Sequence, residues 1–188
     1  MRSRQSLPTL WMMTDERVGA RLIDVVTSLP DGAGMVFRHY SLSPRDRRGL
    51  FDQVRRIARR KNILVMLGGP PALAQSWGAD GSHGLCFGRR SPPHLLRSSS
   101  VHDSTELHRA VGTGADFVFA SPIFPTQSHP GTGTLGPVRL GLLVRQSPIP
   151  VIALGGMNPE TARRLAGLPI YGWAGIDAFD QKRNEVPR

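Results

Sequence analysis

Three apolar runs constrain this chain more than any other feature: Ile63 to Leu67 (ILVML), Phe117 to Ala120 (FVFA) and Pro150 to Leu154 (PVIAL). Each is continuous, too short for a packed helix and bounded by turn residues, so each reads as a strand buried on both faces. Strands of that kind belong to parallel sheets with helices laid over them. The sequence between the runs must therefore supply helices.

It does so in order. Thr9 to Met13 predicts a first strand, and a helix follows from about Arg17 to Ser28, with Val18, Leu22, Val25 and Val26 on one side. Gly34 to His39 or Tyr40 predicts a second strand. Ser43-Pro44 then provides an N-cap and a first-turn proline for an arginine-rich helix. Pro71 to Trp77 predicts a short helix, Ala79 to Gly84 a weak fourth strand and Leu95 to Val101 a fifth. Asp103 or Ser104 caps a helix to about Gly112, and Pro137 to Gln146 predicts another. Asn158-Pro159 opens a helix to about Ala166, and Tyr171 to Ala178 predicts the last strand. About eight strands alternating with helices favour a small (β/α)₈ TIM barrel over a doubly wound open sheet. Residues 1–8 read as an N-terminal extension, 9–179 as the barrel and 180–188 as a polar tail.

The formal net charge of +10 raises nucleic acid as a partner. Its distribution argues against that: Leu50, Phe51, Val54, Ile57 and Ala58 recur at helical spacing while Arg48, Arg55 and Arg59 lie opposite, the pattern of an amphipathic helix with a solvated face. The single cysteine, Cys86, excludes an internal disulfide and zinc sites built on several thiolates. No apolar run reaches membrane-spanning length. These features predict a soluble, cytoplasmic protein.

In either architecture ligands sit at the carboxyl ends of the strands, so the residues just after each run carry the information. After Ala120 comes a loop, SPIFPTQSHPGTGTLG, whose prolines fix angles, whose glycines permit positive φ and whose Thr126, Ser128, Thr132 and Thr134 offer hydroxyls. Gly155-Gly156 follows the PVIAL strand and precedes a helix start, a place suited to an anion. Asp177 ends the last strand and would repel such an anion unless turned away. Arg38, near the end of the second strand, would need an anionic partner if buried in the barrel mouth. His83, Ser100 and His102 line up near the ends of the fourth and fifth strands.

FASPIFPTQSHPGTGTLG followed by IPVIALGGMNPE resembles the thiamine phosphate synthase and TenI family, and the resemblance extends upstream through LWMMTD, GADGSH and Ser100-Val101-His102. It implies a barrel acting in thiamine biosynthesis as a transferase, joining a hydroxymethylpyrimidine pyrophosphate to a thiazole phosphate with release of pyrophosphate. Carried over by position, Thr126, Ser128, Gly155, Gly156 and the backbone at Ile176 and Asp177 would hold the thiazole phosphate. Arg38 and Ser100 would face the pyrimidine substrate, and His83 would lie on the same face. His129 stands where the family places a lysine on pyrophosphate, so Arg38 and His129 become the candidate catalytic residues. The resemblance also implies Mg²⁺, yet the family's acidic places fall on Gly68-Gly69 and near Gly88, and the pattern Gln-Leu-Arg-x-Lys is here Val36-Phe37-Arg38-His39-Tyr40. A TenI-like thiazole phosphate isomerase and a non-catalytic phosphate-ligand barrel are the alternatives. The short polar end, FDQKRNEVPR, leaves the barrel without a full final helix, so a homodimer or the N-terminal segment is expected to cover the seam.

Overall fold

The computed structural model describes residues 6–84, 94–126, 133–176 and 178–179. Eight strands run in sequence order: β1 (Leu10–Met13), β2 (Gly34–Phe37), β3 (Leu64–Gly68), β4 (Gly81–His83), β5 (Leu96–Val101), β6 (Phe117–Ala120), β7 (Val151–Leu154) and β8 (Gly172–Gly175). All neighbours are parallel, and β8 returns to pair with β1 through Leu10↔Trp173, so the sheet closes into a barrel. An open doubly wound sheet is thereby excluded.

The strands read as unbroken apolar runs because both faces are buried. Trp11, Met13, Val36, Met66, Phe117, Phe119, Ile152 and Leu154 fill the barrel interior. Their neighbours Met12, Met35, Phe37, Val65 and Leu67 point outward to the first helices, and Val118, Ala120, Val151 and Ala153 to the later ones. Trp11 dictates a glycine opposite it. It sits in register with Gly34, where a Cβ would run into the indole ring. Its indole N–H is satisfied by the Pro8 carbonyl at 2.6 Å, as a buried tryptophan requires.

Six helices are present among the described residues: α1 (Leu22–Ser28), α2 (Pro44–Arg60), α3 (Pro71–Trp77), α4 (Ser104–Gly112), α5 (Gly136–Gln146) and α6 (Pro159–Arg163). The predicted single helix from Arg17 is instead a 3₁₀ segment, Glu16–Arg21, followed by α1, with the break at Gly19 (φ 56°, ψ −136°). Glycine alone tolerates that backbone cheaply, and the apolar set Val18, Leu22, Val25 and Val26 is buried regardless. In α2, Ser43 caps the first turn by accepting the Asp46 N–H, and Phe51, Val54 and Ala58 face the core. Its basic face is less free than the sequence suggests: Arg48 and Arg55 reach the Ser76 and Trp77 carbonyls at 3.5 and 3.2 Å, tying α2 to α3.

Two strand ends differ from expectation. β2 stops at Phe37 because His39 adopts φ +41°, which turns the chain and stacks its imidazole back on Phe37 at 4.9 Å. β8 is confined to Gly172–Gly175, with Tyr171 before it donating to the Leu7 carbonyl at 2.8 Å. Leu7 packs against the interior cluster, and Phe179 stacks on Trp173 with centroids 5.9 Å apart. Phe179 thus covers part of the seam expected to be bare, while Leu7 closes the barrel interior. No helix among the described residues is long and apolar enough to cross a membrane.

Candidate functional site at the carboxyl mouth of the barrel

A cavity of about 500 Å³ opens at the carboxyl ends of the strands. Its walls bring together Arg38 after β2, His83 at the end of β4, Ser100 on β5, Thr126 after β6, Gly155 after β7 and Ile176 after β8. Thus six positions named from sequence converge from six strands. Ser128, His129, Asp177 and the stretch around Gly88 lie outside the described residues.

The β6–β7 side is built from backbone. Ile123 and Phe124 donate their N–H groups to the Leu154 and Gly155 carbonyls at 2.9 and 3.0 Å, which lays the loop after β6 directly across the end of β7. The Ser121–Pro122 peptide bond in this loop is cis. Gly155 and Gly156 both have positive φ, 92° and 65°. A Cβ at 155 would lie 2.7 Å from Pro122 Cα, and one at 156 would lie 2.7 Å from the Pro125 carbonyl oxygen. Glycine is required at both places by close approach as well as by φ. Gly155 lines the cavity, whereas Gly156 packs beneath the loop. The anion site expected at the following helix start is altered too. α6 is only five residues long, and Asn158 and Thr161 form a reciprocal capping box at 2.8 Å that uses its first donors internally.

His83 forms the floor. Its Nδ1 lies 2.9 Å from Ser98 Oγ and its Nε2 lies 3.4 Å from Ser100 Oγ, with Phe119 edge-on to the ring. Burial pushes its pKa down to about 4, and the positive charge of Arg38 adds to that shift. The imidazole is therefore neutral at neutral pH, presenting one donor and one acceptor to two serines. His102 also reaches the cavity, but its backbone N–H and Nδ1 are both held by Glu106 Oε2, at 2.8 and 2.7 Å, which fixes the turn into α4.

The β1–β3 side is built from side chains. Arg38 Nε donates to the Thr14 carbonyl at 2.7 Å, and its Nη2 pairs with Asp15 at 3.2 Å. Burial lowers the Arg38 pKa and Asp15 partly offsets it, but a guanidinium stays charged. For Asp15, burial acts to raise the pKa, and the hydrogen bonds and charge of Arg17, with the charge of Arg38, outweigh it and hold the carboxylate ionised. Behind Arg38 stands Arg47, whose Nε donates to the Arg38 carbonyl at 2.8 Å and whose Nη2 donates to the Gly68 carbonyl at 2.6 Å. The Tyr40 ring lies over the Arg47 guanidinium at 5.1 Å, and its hydroxyl occupies the space that a Cβ on Gly68 would take.

Tyr40 and Arg139 were missed as site residues in the sequence. Tyr40 is two positions past Arg38, and Arg139 lies in the first turn of α5, exposed at the mouth. The signal available for Arg139 was its place immediately after the hydroxyl-rich loop.

Magnesium does not fit the β3 corner. Gly68 and Gly69 offer carbonyls alone, and the Gly68 carbonyl already accepts from a guanidinium, whose charge repels a second cation. Asp15 and Glu16 after β1 are engaged by Arg17 and Arg38 and by Ser41, respectively. Among the described residues no group of three or more His, Cys, Asp or Glu side chains is gathered for a metal.

A closed eight-stranded parallel barrel with a cavity at the carboxyl ends of its strands, lined by two arginines among apolar and hydroxyl side chains, defines the class, a small (β/α)₈ barrel. The family described as thiamine monophosphate synthase (TMP-TENI) matches residues 10–179. The chain belongs to this family. It is 30% identical over 182 residues to the "Putative thiamine-phosphate synthase 2" of Aquifex aeolicus, covering 92% of this chain and 98% of that one. To the thiamine-phosphate synthase of Pyrococcus horikoshii it is 26% identical over 176 residues, covering 90% and 85%. Among solved structures, thiamine phosphate pyrophosphorylase from Pyrococcus furiosus superposes with a TM-score of 0.80 at 25% identity, over 93% of this chain and 88% of that one.

Proposed function

We propose that the chain is a transferase of thiamine biosynthesis that couples a pyrimidine pyrophosphate to a thiazole phosphate. In that reaction the C–O bond to the pyrophosphate breaks with its electron pair on oxygen, and the thiazole nitrogen lone pair forms the new N–C bond. The observation that carries the reading is the convergence of Arg38, Ser100, Thr126, Gly155 and Ile176 on one cavity in a member of this family. Thr126 and the backbone around Gly155 and Ile176 hold the thiazole phosphate. Arg38 faces the charge that develops on the departing pyrophosphate, the kind of stabilisation that dominates such steps. Met13, Leu135 and Leu154 supply apolar wall around the reacting centre. His129 and Ser128 belong to the same proposal through the resemblance alone.

The test is a coupling assay with both substrates, followed by detection of thiamine phosphate and pyrophosphate, with and without magnesium. Calorimetry showing no binding of thiazole phosphate would sink the reading. One observation favours a second reading, proton transfer on the thiazole phosphate alone: His83 is neutral and wired through Ser100 to the cavity. Turnover of thiazole phosphate in the absence of the pyrimidine separates the two.

A further inference from the structure

We infer that the cavity receives a diphosphate group on arginine side chains, without a divalent cation. The inference rests on the reading that the cavity takes a phosphorylated ligand, and it names what neutralises that ligand. Two guanidinium groups, Arg38 and Arg139, line the cavity, and no carboxylate does so among the described residues. Arg38 is held in place by the Thr14 carbonyl and Asp15, so it meets an anion already oriented. Arg139 is exposed in the first turn of α5, after β6, across the mouth from the β1–β3 side.

The β3 corner explains why positive charge must come from side chains. A side chain at Gly68 would have to displace Tyr40, whose hydroxyl fills that volume. Tyr40 in turn lies on Arg47, which also packs over Trp77 and donates to the carbonyls of Arg38, just after β2, and Gly68, at the end of β3. A guanidinium therefore stands beside the place where a cation and its carboxylates would be needed. Three features act together: the glycine at 68, the aromatic ring over it and the arginine beneath that ring. Guanidinium forks match phosphate oxygens and remain charged at any working pH, so a pair of them can take over the neutralising role.

Titration calorimetry of the full chain with inorganic pyrophosphate tests this directly. In EDTA, saturable binding is expected, and adding magnesium should change the affinity by no more than about twofold. Arg139→Ala, an exposed position outside the core, should weaken binding by about tenfold or more, as loss of a charge-assisted contact does. Binding that appears only with magnesium overturns the inference, as does an absence of binding in both conditions or an affinity that Arg139→Ala leaves unchanged. The outcomes are separable from the functional reading. Thiamine phosphate formed only with magnesium leaves that reading standing and refutes this inference. Failure to bind thiazole phosphate refutes the reading and leaves the pyrophosphate titration to be judged by itself.

Discussion

The two sides of the cavity are made of different material. Around β6 and β7 the wall is backbone against backbone: the loop after β6 hydrogen-bonds to the end of β7, and two glycines sit where any Cβ would collide. Around β2 and β3 the wall is made of side chains: Tyr40 lies over Arg47, and Arg47 and Arg38 are anchored on main-chain carbonyls. A backbone-built wall resists substitution because each change strains the main chain. A side-chain wall can exchange one residue for another provided its neighbours change with it. The PIFPT and ALGG stretches make the first wall, and Gly68 with Tyr40 stands in the second.

The comparison is most easily broken at Gly156. Replacing it with alanine combines a φ of +65° with a 2.7 Å clash against the Pro125 carbonyl oxygen, and should cost about 3 kcal/mol or more in denaturant unfolding. A loss below about 1 kcal/mol would mean that the wall is not rigid in the way described.

His83, between the two sides, should give the next effect. An ordinary histidine titrates at 6.5 and this one at about 4, so the unfolded chain takes up a proton that the folded protein refuses as pH falls. Stability is therefore intact above pH 6.5 and drops by about 3 kcal/mol by pH 4 on this account. His39, also lowered, chiefly by burial, acts in the same direction. Urea midpoints measured between pH 7 and pH 4.5 should fall, and His83→Gln should flatten the curve. An unchanged slope in that variant would show that the imidazole is not held neutral.

Tyr40→Ala should have the smallest effect, because the ring is 60% exposed and its stacking on Arg47 contributes about 1 kcal/mol or less. A thermal melt as damaged as that of Gly156→Ala would erase the contrast between the two sides.

Most of the barrel was legible because burial on both faces leaves a simple signature, and ILVML, FVFA and VIAL need no partner to be recognised as strands. Capping was legible for the same local reason at Ser43, Asp103 and Asn158. The break at Gly19 was not, since a helical run of apolar positions is served equally by an α-helix or by a 3₁₀ turn leading into one. The contact between Tyr40 and Gly68 was invisible for another reason. It depends on the parallel register that sets Phe37 beside Leu67, and nothing local to either residue announces it. Arg139 was nearer to legible, since it stands in the first turn after the hydroxyl-rich loop, and α5 brings it to the mouth.

The hydrogen bond from Tyr171 to Leu7 joins residues 164 positions apart. A contact of that span closes a loop of nearly the whole chain, which puts it among the non-local pairings that are costly to form in chain entropy. Ile176, which forms part of the cavity wall, lies just past the strand that makes this closure. The ligand pocket is thus incomplete in any partly folded form that has not zipped β8 onto β1. A chain with a complete pocket has therefore closed its barrel.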